Sequence, residues 1–327
     1  MNNASLQLPL HIRLWRNHKR SLSTLIALFV IWGIFTAFNP TLFTNWITYN
    51  AIFLTLPITI FLVTTLVFVI VSGELDLAFP SVMGFSGWMF VLALKAGWDP
   101  FLAMGGALLS GVAMGTAIGA LVVYGKLSSL VATLGLNFFI RGIINIGAQG
   151  IAISAGNIRE TLVYQVFAGR YFLFPNQMYW AVIWTLFCAY LFRSHQFGVR
   201  VQCVGDNPES AAQMGIDVNR VRMSVFAFSG LGAALAGVFS IFVNFVWWPT
   251  NGDGSLLPAL AAVFVGGTPT WGGVGTVIGG ALGAFIVGFI ESGVVGIGFD
   301  GYYVQFFFGL IIILSMIGHR FSGRRIR

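Results

Sequence analysis

The stretch AIFLTLPITIFLVTTLVFVIV, residues 51–71, runs through twenty-one positions without a charged side chain. At 1.5 Å rise per residue, a helix of that length is about 30 Å long and matches the hydrocarbon core of a bilayer. Comparable blocks lie at about 22–38, 78–94, 100–124, 129–149, 178–192, 223–243, 257–268, 275–297 and 302–317. They predict an all-α integral membrane protein of about ten transmembrane helices, with 1–327 forming a single transmembrane domain.

Composition points the same way. Of the 327 residues, 57% are hydrophobic and 8% charged, against roughly 25% charged in an ordinary soluble domain. The net charge of +7 does not mark a nucleic-acid binder, because the basic residues fall in short clusters between apolar blocks rather than on one polar face. Arg13, Arg16, Lys19 and Arg20 precede the first block; Arg193, Arg200, Arg220 and Arg222 flank residues 193–222; Arg320, Arg324, Arg325 and Arg327 close the chain. By the positive-inside rule all three clusters are cytoplasmic. Residues 1–20 are then a cytoplasmic tail and 193–222 a cytoplasmic loop, and both termini lie inside. With an even number of spans, Lys126 is also inside, Arg141 falls within a span, and Lys95, Arg159 and Arg170 are outside.

The first block follows a basic segment as a signal peptide would, but without a small-residue cleavage pattern after it, and reads as a retained anchor. Blocks 178–192 and 257–268 are short for a crossing, so one of them is expected to be broken, tilted or partly reentrant. The longest outside segment, about 150–177, is where extracytoplasmic structure is expected. Gly111, Gly115 and Gly119 recur every four residues, as do Gly275, Gly279 and Gly283. One small face per helix allows close approach of backbones, first within the subunit and alternatively at a subunit interface. Cys188 sits in an apolar block and Cys203 in the inside loop, where a structural disulfide is not expected.

Neither Lys126 nor Lys95 follows the glycine spacing that cradles phosphate, so no ATP hydrolysis is expected in this chain. Gly293, Gly296 and Gly298 follow a membrane block and read as turn or packing residues. His11, His18, His195 and His319 lie in basic segments without metal-ligand spacing, and neither a metal site nor a catalytic residue is expected. Glu74 and Asp76 are more telling, since two carboxylates between apolar blocks are costly at membrane depth. Either the spans end at Val71 and restart near Ala78, with Asp76 capping the next helix, or a broken helix faces a pathway. Asn137 and Arg141, about a turn apart, carry the same two readings. Together with Glu74 and Asp76 they are the candidate pathway residues.

In HQFGVRVQCVGDNPESAAQMGIDVNRVRMSVFAFSGLGAALAG, residues 195–237, Asn207 can cap a helix and Pro208 suits its first position. Glu209 complements the positive helix end, and Gly215 can close it. One helix is predicted over about 208–214. It is too short to stand alone in water, so a partner groove or the membrane surface must hold it.

This stretch resembles the large cytoplasmic loop of the ribose-type, or simple-sugar, permeases of ABC importers. The likeness rests on Gly205, Asn207, Ala211, Ala212, Gly215, Ile216, Ser229, Gly230, Ala233, Ala236 and Gly237. SGELDLAFPSVM (72–83), LVATLGLNFFIRG (130–142) and VFVGGTPTWGGVGTVIG (263–279) are similar to three further segments of that family. Glu74 stands where the family usually has glycine, Ala78 and Pro80 where it has Ser and Gly, and SLLPALAAV lacks an acidic residue common there. The resemblance implies an inner-membrane permease that pairs with a second copy or close homologue and holds no cofactor itself. It implies ATP and Mg on cytoplasmic ATP-binding subunits, which would dock on Gly205, Asn207, Pro208, Glu209, Ala211, Ala212, Gly215 and Ile216. It further implies an extracytoplasmic binding protein delivering a pentose, hexose or related polyol, with nucleosides and a signalling furanosyl compound as other cargoes in the wider family. Two rival readings use the same residues differently. An ion-coupled transporter or channel would use Glu74 and Asp76 as its coupling site, and a membrane enzyme would use Asp76 or His195 as acid or base.

Overall fold

The computed structural model describes the backbone of residues 10–323 and the side chains of residues 22–321. The basic clusters at the two chain ends lie largely outside the described side chains. Every apolar block carries a helix. The order is α1 (Leu10–Phe38), α2 (Pro40–Phe43), α3 (Trp46–Val71), α4 (Phe79–Lys95), α5 (Pro100–Tyr124) and α6 (Ser129–Ala148). Then come β1 (Ile153–Ser154), α7 (Leu162–Phe167), β2 (Arg170–Tyr171), β3 (Phe174–Pro175), α8 (Asn176–Arg193), α9 (Gln196–Asp206), α10 (Pro208–Gln213) and α11 (Val218–Asn244). The chain continues through β4 (Val246–Trp247), α12 (Leu256–Val265), α13 (Val277–Gly296) and α14 (Tyr302–Gly323). Six helices, α3, α5, α6, α11, α13 and α14, are long and apolar enough to cross a bilayer, with shorter apolar helices at 22–38, 79–95 and 253–265. The chain is a helical membrane protein.

Local signals set the helix ends. Asn45 accepts from Ile47 N, Asp99 from Phe101 N and Leu102 N, Asp217 from Arg220 N, and Thr276 from Gly279 N. Pro80, Pro100 and Pro208 sit in first turns, where the missing N–H costs nothing. The expected helix at 208–214 is α10, and Gly215 follows it at φ +81°. A second helix, α9, was not anticipated in the loop. His195 starts it by accepting from Phe197 N through Nδ1, and Val201 and Val204 bury it against the bundle.

Hydrophobic α3 and α11 form the buried centre, while α6 and α14 are mostly exposed along their lengths. Both glycine rows pack inside the chain. A Cβ on Gly111, Gly115 or Gly119 would run into Gly230, Phe226 or Met223 of α11, and one on Gly279 or Gly283 into Gly266 or Ala262. Segment 150–177 carries short elements of its own. β1 pairs antiparallel with β4, and β2 with β3, while Thr161 caps α7. Cys188 and Cys203 are both free thiols.

Two helices are short because an irregular stretch precedes each. Residues 72–78 separate α3 from α4, and residues 248–255, with a 3₁₀ turn at Asp253–Ser255, precede α12. With ten residues, α12 is about 15 Å long, half of a bilayer core.

Candidate functional site

Non-helical backbone in a membrane is tolerated only where protein or water satisfies its polar groups. For residues 74–81 the partner is α6. Its Ser129, Thr133, Asn137 and Arg141, four residues apart, share one face. Leu75 N donates to Ser129 Oγ (3.1 Å) and Leu77 N to Thr133 Oγ1 (3.0 Å). Ser81 Oγ donates to the Asn137 backbone oxygen at 2.8 Å and lies 2.5 Å from its side-chain oxygen. Arg141 donates to Pro80 O at the head of α4 (3.4 Å). The first two rungs give Leu75 N and Leu77 N the acceptors that a continuous helix would have supplied, the other two fasten the first turn of α4, and the whole runs over about 18 Å of α6.

Asp76 lies within the first break and is 4% exposed. Its Oδ1 accepts from Ala78 N (2.8 Å) and its Oδ2 from Ser229 Oγ of α11 (2.7 Å). As one sequence reading has it, α3 ends at Val71 and α4 restarts after Ala78; Ala78 holds the N-cap position, and Asp76 braces that start by accepting from Ala78 N rather than by capping the first turn itself. Glu74 sits apart from Asp76, at the α10 end of the bundle, where its carboxylate pairs with Arg222 of α11 at 2.8 Å.

Arg141 also reaches the second break. It donates to Asn251 O at 3.0 Å and to Pro249 O, and pairs with Asp253. One guanidinium thus joins the starts of both short helices, using the planar fork that lysine lacks. Asn251 is itself fixed by Ser240 Oγ at 3.0 Å.

The loop residues separate into two faces. Asn207 Oδ1 accepts from Ser210 N (2.9 Å), as a cap should. Pro208, Glu209, Ala212 and Gly215 are exposed, and Ile216 is half-buried. Ala211, expected to share the outward face with Ala212, is instead fully buried against the chain itself. Adjacent helical residues point about 100° apart, so the two alanines serve different neighbours. Gly205 is not on the exposed face either; it is wedged against Val71 of α3. Met214, 66% exposed, shares the outer surface and was not singled out from the sequence. Ser129, Thr133, Asn251 and Asp253 were also missed, and Ser229, read only as part of the family motif, gave no sign of its bond to Asp76. Among the described residues no group of His, Cys, Asp and Glu is placed to hold a metal ion.

The described residues thus form a membrane helical bundle with two internally hydrogen-bonded interruptions, before α4 and before α12, and an exposed, capped six-residue helix ahead of α11. Residues 47–316 match the model of the branched-chain amino acid transport system / permease component family, and the chain belongs to that family. It is similar to the ribose import permease protein RbsC of Escherichia coli, 28% identical over 90% of this chain and 92% of that protein. It also resembles the L-arabinose ABC transporter permease protein AraH of Azospirillum brasilense, 28% identical over 77% and 74% of the two chains. A third relative is the autoinducer 2 import system permease protein LsrC of Photorhabdus luminescens, 28% identical over 94% and 91%. No solved structure gives a significant match.

Proposed function

We propose that this chain is the membrane permease of an ATP-binding-cassette importer that carries a simple sugar, a pentose, hexose or related polyol, delivered by an extracytoplasmic binding protein. The cargo rests on the relatives named for ribose and arabinose. The observation that carries the coupling is α10: six residues, capped at both ends, anchored to the bundle through buried Ala211 and exposed along its other face. About ten helices cross the inner membrane, with both termini and residues 193–222 in the cytoplasm. α10 docks on one ATP-binding subunit, where ATP and Mg bind, and a second permease copy or close homologue completes the channel.

The extracytoplasmic end is formed by residues 150–175 and the loop after α11. A cavity of about 440 Å³ there has Arg159 and Arg170 in its wall, which suits acidic side chains of the binding protein. Asp76 accepts from Ala78 N and Ser229 Oγ, and Glu74 pairs with Arg222, partners that support a structural role for both carboxylates.

The test is uptake into liposomes holding the permease, its ATP-binding subunits and the binding protein. Labelled pentose should accumulate only with hydrolysable ATP on the α10 side. Uptake driven by a proton or sodium gradient without ATP would instead establish the ion-coupled reading. Loss of uptake without the binding protein, and the ligand that raises that protein's melting temperature, would identify the cargo.

A further inference from the structure

At the α10 end three remote segments cross with almost no side chains between them. Gly273 N, in the loop after α12, donates to Val71 O at the end of α3 (2.8 Å). Gly205, the penultimate residue of α9, lies in the same crossing: a Cβ there would fall onto Val71 O and within 2.6 Å of Gly273 N. A Cβ on Gly272 would stand 2.9 Å from Gly205 O and 3.1 Å from Gly73 Cα, and one on Gly273 would stand 3.0 Å from Asp206 Cα. Gly73, Gly272 and Gly273 have φ of +87°, +82° and +75°, a region where L side chains are strained. On the far side of α10, Arg222 holds Glu74 at 2.8 Å.

The three segments are not equivalent. One, Val71 to Glu74, opens the first break and leads through Asp76 into α4. The second, Gly272 and Gly273, leads away from short α12. The third, Gly205 and Asp206, leads directly into α10, whose other end returns through Arg222 to the first. Flexible side chains between segments would absorb a small displacement by changing rotamer, whereas backbone in contact with backbone has no such freedom.

We infer that Gly205, Gly272 and Gly273, with the Glu74–Arg222 pair, form the joint that carries movement of α10 to both interrupted spans at once. They are positioning residues for coupling; none touches cargo or nucleotide. The inference rests on α10 being the ATPase-docking helix. Its failure is separable from failure of that reading, since docking is read by retention of the ATP-binding subunits and the joint by transport per ATP.

The experiment uses the complete importer in liposomes and records subunit retention, binding-protein-stimulated hydrolysis and cargo moved per ATP. Gly205→Ala should retain the ATP-binding subunits and keep hydrolysis within about threefold, while transport per ATP falls at least tenfold. Normal transport per ATP from the assembled variant overturns the inference. Should Gly205→Ala not assemble, the ion pair decides. Glu74→Arg and Arg222→Glu alone should each lower transport per ATP at least fivefold, and the double exchange should restore it to within twofold. Single variants that transport normally, or a double exchange without recovery, also overturn it. If Ala212→Trp in an otherwise unmodified importer leaves subunit binding normal, the docking reading fails and the joint with it.

Discussion

Asp76 Oδ2 and Ser229 Oγ are hydrogen bonded at 2.7 Å across 153 positions of sequence. One residue belongs to the break before α4 and the other lies eleven residues past the start of α11. The pair fastens an irregular segment to the central helix of the bundle, and the same carboxyl terminates the turn at Ala78. Asp76→Ala strips a partner from both a backbone N–H and a buried hydroxyl, at about 1–3 kcal/mol for each group left unpaired. Asp76→Asn keeps an acceptor. Thermal melts in detergent should therefore show a large loss for alanine and less than half of it for asparagine, with transport by the asparagine variant within about threefold. An asparagine variant that is as stable as the parent yet transports nothing would assign the carboxyl to the cargo pathway instead.

Thr133 tests the ladder. Valine has the same shape but leaves Leu77 N without an acceptor at 3.0 Å, so Thr133→Val should cost about 1–3 kcal/mol. Thr133→Ser keeps the hydroxyl and should recover most of the stability in the same melts. Equal melting temperatures for the valine and serine variants would mean that water or a rearranged neighbour serves Leu77.

Arg141 joins both breaks, so its loss should be felt in assembly before transport. Arg141→Ala removes the donor to Pro80 O, Pro249 O and Asn251 O and leaves Asp253 unpaired. The yield of folded protein in gel filtration should drop severalfold. Arg141→Lys should recover part of it, because one ammonium cannot span the same set of oxygens. Asp253→Asn should be milder than either, its side chain being half exposed. A normal yield from Arg141→Ala would show that the two breaks hold their geometry independently.

What could be read in the sequence divides along the range of the interaction. Helical blocks were legible because twenty apolar residues in a row admit few other fates. Blocks 178–192 and 257–268 both read as short, and of the two only the second is preceded by an irregular stretch that leaves a ten-residue helix, whereas α8 runs unbroken over Asn176–Arg193. Caps were legible too: Asn207, Pro208 and Gly215 act within a few residues of themselves. The ladder was not. A serine or threonine in an apolar helix is equally consistent with bonding back to its own turn, and Thr133 does also donate to Ser129 O. Only the fold brings Leu75 and Leu77, more than fifty positions away, to the same face. Glu74 and Arg141 stood out as isolated charges, yet their partners Arg222 and Asp253 could not be chosen from among the other charges. The direction of Ala211 escaped for a related reason, since a six-residue helix has no periodicity long enough to mark its buried side.

That buried side makes the docking surface testable with adjacent residues. Ala211 is fully buried and Ala212 is exposed, so the same substitution should act by different routes. Ala211→Trp overfills the chain's own packing, which typically costs about 1–3 kcal/mol or more, and should lower the melting temperature of the isolated permease. Ala212→Trp projects outward and should leave that temperature unchanged while abolishing retention of the ATP-binding subunits in a pull-down. Asn207→Ala removes the acceptor at Ser210 N and should weaken α10 by about 1 kcal/mol, giving reduced retention with an intact bundle. If Ala212→Trp binds the ATP-binding subunits and transports normally, α10 is not the docking helix. If Ala211→Trp and Ala212→Trp lower the melting temperature equally, Ala212 is covered by the permease itself or its second copy, and the outward face belongs to that contact.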